Sequence, residues 1–399
     1  MNHFKYSIPT EAFFGKDSID IIPTEIKKYG QRVLFIYGGS SIKNIGLYDK
    51  IKRNFEDNAI YHIELSGVEA NPKLSKVMEG IALIKENQLD FILAVGGGSV
   101  IDCGKAISAG VFYEGDPWDF CIGKAIVEKT LPVGAVVTIA ATGSEMNGNA
   151  IITNEKLKRK LPAKSPLMKP RFAVLDPTLT YSVSKYQTAA GVADIISHVM
   201  EQYFSPTEGS FLQDRLCEAV IKTCIKYGPI ALKDPENYEA RANLMWASTL
   251  GLNESLGYGK VGDWAVHSIE HEISAEYDIT HGVGLAILIP SWMRWVLDAS
   301  TVDKLYEYAV NVWQVDKADK FEGALQGIEK TEVFFQSLGL PERLSELGIG
   351  DGHFEKMAVN ALNFRQVGNF KKLSKEDIVS ILQDAHNGCA SVPINMNRD

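Results

Sequence analysis

FILAVGGGSVIDCGK, residues 91–105, decides how the first part of this chain folds. Phe91–Val95 is an unbroken apolar run, the pattern of a strand buried on both faces. Gly96-Gly97-Gly98 closes it, and Ser99–Val111 has helical periodicity, with Ser99 expected at the N-cap. Glycines in such a turn let the backbone approach a phosphate closely. The first amides of the helix add unpaired donors and partial positive charge. Asp102, just inside the helix, is expected either to sit near its positive end or to contact a bound dinucleotide.

The same pattern repeats on either side. Val33–Tyr37 reads as a strand closed by Gly38-Gly39-Ser40-Ser41, with Ile42–Glu56 helical after it. Ile60–Leu65, Leu131–Thr138 and Phe172–Leu175 read as further strands, and Pro72–Asn87 as a helix. Thr138–Glu145 (TIAATGSE) is a third hydroxyl- and glycine-rich turn after a strand. Strands alternating with helices at this spacing predict a parallel sheet covered on both faces, and ligands in such sheets sit at the carboxyl ends of strands. The G-x-G-x-x-G fingerprint is absent.

The pattern changes after Asp176-Pro177. From about Ser184, Ala189–Phe204, Ser210–Tyr227, Tyr238–Gly251, Asp263–Tyr277 and Val302–Gln314 all have helical periodicity. We therefore expect a Rossmann-like α/β domain at 1–184 and an all-α domain at 185–399. There is no internal repeat.

Composition limits the function classes. The chain has 399 residues, is 45% hydrophobic and 23% charged, and carries a formal charge of −9, which argues against a nucleic-acid or anionic-membrane partner. No apolar run reaches the ~18 residues of a membrane span. The N-terminus lacks a basic-then-apolar signal pattern. Cys103, Cys121, Cys217, Cys224 and Cys389 are scattered, with no C-x-x-C, as expected for free thiols in the cytoplasm.

Histidines concentrate in the helical part. Asp194 and His198 stand four apart, on one helix face; His267 and His271 repeat that spacing in HSIEHE; His281 stands at the expected start of the next helix. One carboxylate with several imidazoles suits Fe²⁺, Zn²⁺ or a similar divalent ion. Spacing alone leaves His267 and His271 interchangeable.

Together these segments resemble the iron-containing (group III) alcohol dehydrogenases, near their NADPH-dependent butanol dehydrogenase branch. The resemblance rests on Phe14-Gly15, GGGSVIDCGKA (96–106), ATGSEM (141–146), LDPTLTYS (175–182), GVADIISHVME (191–201) and HSIEHEISAEYDITHGVGLAILIP (267–290). It implies a dehydroquinate-synthase-like fold with a metal, Fe²⁺ before Zn²⁺, in the cleft between the domains. By position it implies Asp194, His198, His267 and His281 as metal ligands and His271 beside the nicotinamide. The implied cofactor contacts are Gly38, Gly39, Ser40, Asn71, Gly97, Ser99, Asp102, Thr138, Thr142, Asn147, Lys160 and Leu179. The expected reaction is metal-assisted hydride transfer between NADP(H) and short-chain, butanol-like alcohols or aldehydes, with His271 as proton relay and a homodimer as the assembly. Trp246, Leu250, Trp264 and Phe364 are candidates for an apolar substrate pocket.

NADP(H) is expected over NAD(H) because the first glycine turn has no acid before Asp49 and offers Ser40, Ser41 and Lys43 to a 2′-phosphate. The competing readings are a dehydroquinate-synthase-like lyase and a non-catalytic metal- or nucleotide-binding module. A polyanionic lyase substrate needs basic residues near the ligands, yet Arg215, Lys222, Lys226, Lys233, Arg241 and Lys260 all lie more than four residues from any of them.

Overall fold

The computed structural model describes residues 1–363 and 366–388; Phe364 and Cys389 lie outside the described residues. Strands β1 (Glu11–Phe14), β2 (Arg32–Tyr37), β3 (Tyr61–Leu65), β4 (Phe91–Gly96) and β5 (Val133–Val137) are followed by a hairpin of β6 (Asn149–Asn154) and β7 (Arg159–Lys164), then β8 (Phe172–Leu175). The helices before the hairpin are α1 (Ile22–Lys27), α2 (Ser41–Asn44), α3 (Leu47–Asp57), α4 (Leu74–Asn87), α5 (Gly98–Gly110) and α6 (Trp118–Cys121). Those after β8 are α7 (Lys185–Tyr203), α8 (Phe211–Lys233), α9 (Tyr238–Leu252), α10 (Ala265–Tyr277), α11 (His281–Val296), α12 (Val302–Trp313), α13 (Lys320–Ser337), α14 (Phe354–Leu362) and α15 (Lys375–Asn387).

The sheet has the order β1-β8-β5-β4-β2-β3, and every pairing in it is parallel. Alternate residues of each strand face opposite sides, so Leu34, Ile36, Ile92 and Ala94 join one apolar core while Val33, Phe35, Phe91 and Leu93 join the other. Burial of both faces explains why these strands are unbroken apolar runs. The chain runs from β2 to β3 on one side and then returns to place β4 on the other, so the strand order reverses between β2 and β4. In open parallel sheets, ligands bind outside the carboxyl ends of the strands at such a reversal.

The chain divides into two compact units. One holds Ser7–Val183 with Asp234–Asn253, and the other holds Met1–Tyr6, Ser184–Lys233 and Glu254–Asp399. A single cut near residue 184 therefore misplaces α9. Its Met245 is buried in the core of the sheet-bearing unit, and its Thr249 hydroxyl donates to Glu145 at 2.6 Å. Three local expectations also change. The helix expected at Ile42–Glu56 breaks at Gly46, whose φ of 71° is left-handed. The N-cap of α5 is Gly97, with Ser99 already inside the first turn. Strand β1 and the β6–β7 hairpin carry no sequence pattern strong enough to have been expected. Among the described residues, no helix is long and apolar enough to cross a membrane.

Candidate active site

Three helices of the helical unit converge on a histidine cluster. Asp194, His198 and Glu201 sit at i, i+4 and i+7 of α7, one face of the helix. His267 and His271 lie one turn apart on α10, and His281 is the first residue of α11. Gly282 permits the approach: a Cβ there would stand 2.1 Å from the Ala190 carbonyl oxygen, so any larger residue would push α11 off α7. Ring centroids lie 4.6 Å apart for His198 and His267 and 5.3 Å apart for His267 and His281.

Donor atoms of Asp194, His267 and His281 fall within 4.8 Å of one another. His198 stands beside this group, its Nδ1 3.3 Å from Asp194 Oδ1. His271 joins Glu270 and His281 in a second compact group, its ring 5.5 Å from that of His281. Packing therefore separates the two histidines that spacing left interchangeable: His267 groups with Asp194, and His271 stands one step away. Burial drives the His198 pKa well below its ordinary 6.5, and the neighbouring His267 adds to this. Neutral imidazoles with a carboxylate are what a borderline divalent ion requires, so the residues present fit Fe²⁺ or Zn²⁺.

Two buried carboxylates that sequence reasoning missed lie against the rings. Glu201 Oε1 is 3.0 Å from His267 Nδ1 and also accepts the His267 main-chain N–H at 2.9 Å. Glu270 is hydrogen-bonded to His281 Nδ1, while His281 Nε2 lies 4.0 Å from Asp194 Oδ1. The i+7 spacing of Glu201 from Asp194 was the available signal. For Glu270, adjacent to His271, there was none.

The expected cofactor contacts all lie in the sheet-bearing unit. Gly38, Asn71, Gly97, Thr138 and Leu179 follow the carboxyl ends of β2, β3, β4, β5 and β8, neighbouring parallel strands. The Thr138 N–H donates to the Gly96 carbonyl at 3.1 Å, which sets the second and third turns side by side. A Cβ on Gly98 would stand 2.3 Å from Thr142 Oγ1, so glycine lets those turns touch. At Gly39 a Cβ would meet nothing within 4 Å, and Ser40 is exposed. Ser99 and Thr142 are half-buried, Asn71 is buried with φ of 54°, and Lys160 is buried on β7.

Asp102 and Asn147 are held by the chain itself. Asp102 accepts from Lys105 Nζ at 3.0 Å, from the Ser144 hydroxyl at 2.5 Å and from the Ile151 N–H at 2.9 Å. Lys105, fully buried, also donates to the Ser144 carbonyl and to Asn147 Oδ1, and Asn147 Nδ2 donates to the Gly143 carbonyl. This network fastens α5 to the third turn. Of the expected pocket residues, Trp264 packs beside His267 at 5.5 Å between ring centroids, Trp246 packs edge-on to Phe14, and Leu250 is half-buried on α9.

A parallel sheet with glycine turns at its switch point, joined in one chain to a helical unit carrying a buried Asp/His cluster, is the dehydroquinate-synthase-like fold. The sequence matches the iron-containing alcohol dehydrogenase family over residues 9–177 and the C-terminal part of that family over 188–386. The chain belongs to this family. It is 49% identical over 389 residues to NADH-dependent butanol dehydrogenase A of Clostridium acetobutylicum, covering 97% of this chain and 100% of that one. It is 38% identical over 352 residues to the NADPH-dependent aldehyde reductase YqhD of Escherichia coli, covering 88% and 90%. The crystal structure of NADH-dependent butanol dehydrogenase A from Thermotoga maritima superposes with a TM-score of 0.93 at 39% identity, over 97% and 99% of the two chains.

Proposed function

We propose that this family member interconverts short-chain aldehydes and alcohols with a nicotinamide cofactor, at a divalent ion, Fe²⁺ before Zn²⁺, held by Asp194, His198, His267 and His281. The observation that carries this reading is the Asp194–His267–His281 donor group within 4.8 Å, with Asp194 and His267 buried, His281 half-buried and His198 alongside. When bound, the ion acts as a Lewis acid on the substrate oxygen, and the nicotinamide carries the hydride. The chain's part is to hold these groups in register and exclude water around them. His271 is our candidate for moving the proton, since its ring lies closest to the donor set among the histidines outside it. The butanol-like substrate class follows the name of the 49%-identical relative, and Trp264 beside His267 supplies an apolar wall.

The turns after β2, β3, β4, β5 and β8 hold the cofactor in this reading, with Asp102 and Asn147 bracing them through Lys105. NADP(H) over NAD(H) is supported by the acid-free Gly38–Ser41 turn and the open space at Gly39. Lys43 is exposed at that turn, its ammonium 4.9 Å from the Tyr48 ring centre. The NADH named for the 49%-identical relative favours the opposite choice. A homodimer carries over from the family resemblance, and the buried free thiols Cys103, Cys217 and Cys224 support a reducing cytoplasm. A polyanionic substrate is disfavoured, because Lys260 is committed to Asp214 and Arg215 to Glu218 and Glu307.

The test is turnover of butanal with NADPH and with NADH, on protein stripped of metal and reloaded with Fe²⁺ under reducing conditions. Activity should fall by orders of magnitude on stripping and return on reloading; metal-independent turnover would overturn the assignment. Comparison of kcat/KM decides the cofactor. Gly39→Asp should move preference toward NADH, and a wild-type preference for NADH would remove the turn as selector.

A further inference from the structure

We propose that Glu201 and Glu270 are positioning residues that fix the ring orientation of His267 and His281, turning Nε2 of each toward Asp194. The inference rests on the metal reading above and adds to it two residues that hold no metal themselves. An imidazole can offer either nitrogen, and a half-turn about its second side-chain torsion puts a ring carbon where each nitrogen stood. A metal site therefore depends on what grips the other nitrogen.

Both grips are present. Glu201 Oε1 stands 3.0 Å from His267 Nδ1. Glu270 takes His281 Nδ1, leaving His281 Nε2 4.0 Å from Asp194 Oδ1. Glu201 is 3% exposed and Glu270 0%, so bulk water does not compete for either contact.

Glu201 does more than touch the ring. Helix α10 starts after Trp264, whose left-handed φ of 62° at the N-cap comes with no side-chain capping bond. The first amides of a helix need acceptors. Glu201 supplies one from α7: its carboxylate takes the His267 main-chain N–H at 2.9 Å, and its own carbonyl takes the Asp263 N–H at 2.7 Å. The same carboxylate thus docks the first turn of α10 on the ligand face of α7 and sets the His267 tautomer. Glu270 is fixed in turn by the Ser274 hydroxyl. Helix α11 closes over it at Gly284, where a Cβ would stand 2.9 Å from Glu270 Cγ.

A purely structural role would lower stability whether or not metal is bound. A positioning role weakens metal binding specifically. The experiment measures Zn²⁺ affinity by chelator competition, and the melting temperature of the metal-free protein, for wild type, Glu201→Gln, Glu270→Gln and His281→Ala. The expected result is Zn²⁺ binding weakened about 10–100-fold in each Gln variant, the range for loss of a partner behind a ligating histidine. His281→Ala should lose far more. Wild-type Zn²⁺ affinity in Glu270→Gln, with His281→Ala impaired, overturns the positioning role and leaves the metal reading intact. A loss in Glu270→Gln equal to that in His281→Ala makes Glu270 a ligand and also overturns it. Wild-type affinity in His281→Ala overturns the metal reading itself. Should Glu201→Gln fail to fold, Glu270→Gln still decides.

Discussion

Glu64 in the sheet-bearing unit and Glu201 in the helical unit are pushed in opposite directions by their surroundings. Burial raises the Glu64 pKa, but hydrogen bonds from Lys52, Tyr37 and Tyr48 outweigh it and hold the carboxyl at about 2. Burial drives Glu201 well above the carboxylate range; amides of the first turn of α10 offset this only in part. Asp263 is raised as well, by burial first and by the charge of Glu201 second. The sheet-bearing unit repeats its own pattern at Lys105, whose ammonium answers Asp102 at 3.0 Å. Asp102 and Glu64 are thus met by a cation of their own unit, and Glu64 by two phenols as well. In the other, Glu201 and Asp263 meet an imidazole and main-chain amides. Buried charge balanced within the chain is a fastening, whereas acid met only by neutral groups carries a raised pKa.

The largest effect should follow from unbalancing the first unit. Lys105→Met leaves Asp102 buried without its cation and should cost about 3–5 kcal/mol in urea unfolding. A loss below about 1 kcal/mol would show that Ser144 and the Ile151 amide suffice, and the contrast would fail on the sheet side.

The next effect is pH-dependent and belongs to the helical unit without metal. Glu201 and Asp263 have folded pKa values above their unfolded ones, so the folded state binds the extra protons. Their contribution therefore turns less favourable as pH rises from the ordinary carboxylate range through the raised values. Asp263→Asn keeps an acceptor for the Asn369 and Phe370 amides but removes one charge. Relative to wild type it should gain stability between pH 5 and pH 8, by roughly 1–3 kcal/mol. A relative stability that is flat or falling with pH would mean the pair is already neutralised.

The smallest effect is at Glu64. Its folded pKa is depressed, so its stabilisation is present above the ordinary carboxylate value and lost as pH falls toward 2. Glu64→Gln should cost about 1–2 kcal/mol at pH 7, discounted for partial exposure. The gap should close near pH 2. A cost that persists there would assign the effect to packing.

What could be read directly follows from how each signal is stored. Strands β2, β4, β5 and β8 were legible because a parallel strand buried on both faces must be apolar throughout, and after β2 and β4 a glycine turn follows at once. Strand β1 was not: EAFF is largely exposed, and it is a strand only because β8 pairs with it at the sheet edge. Helix α9 reads as a helix in line with its sequence neighbours, and nothing local records that Met245 and Thr249 belong to the sheet-bearing unit.

The chain alone determined the α/β-then-α order, the glycine turns and the residue types of the donor set, because these are local patterns of period and spacing. Spacing left His267 and His271 equivalent and only the family resemblance pointed to His267; the tertiary structure groups His267 with Asp194 and sets Glu201 and Glu270 behind the rings. Two histidines one turn apart on a helix are equivalent until other helices pack against them, and α7 and α11 make that choice by which ring they meet.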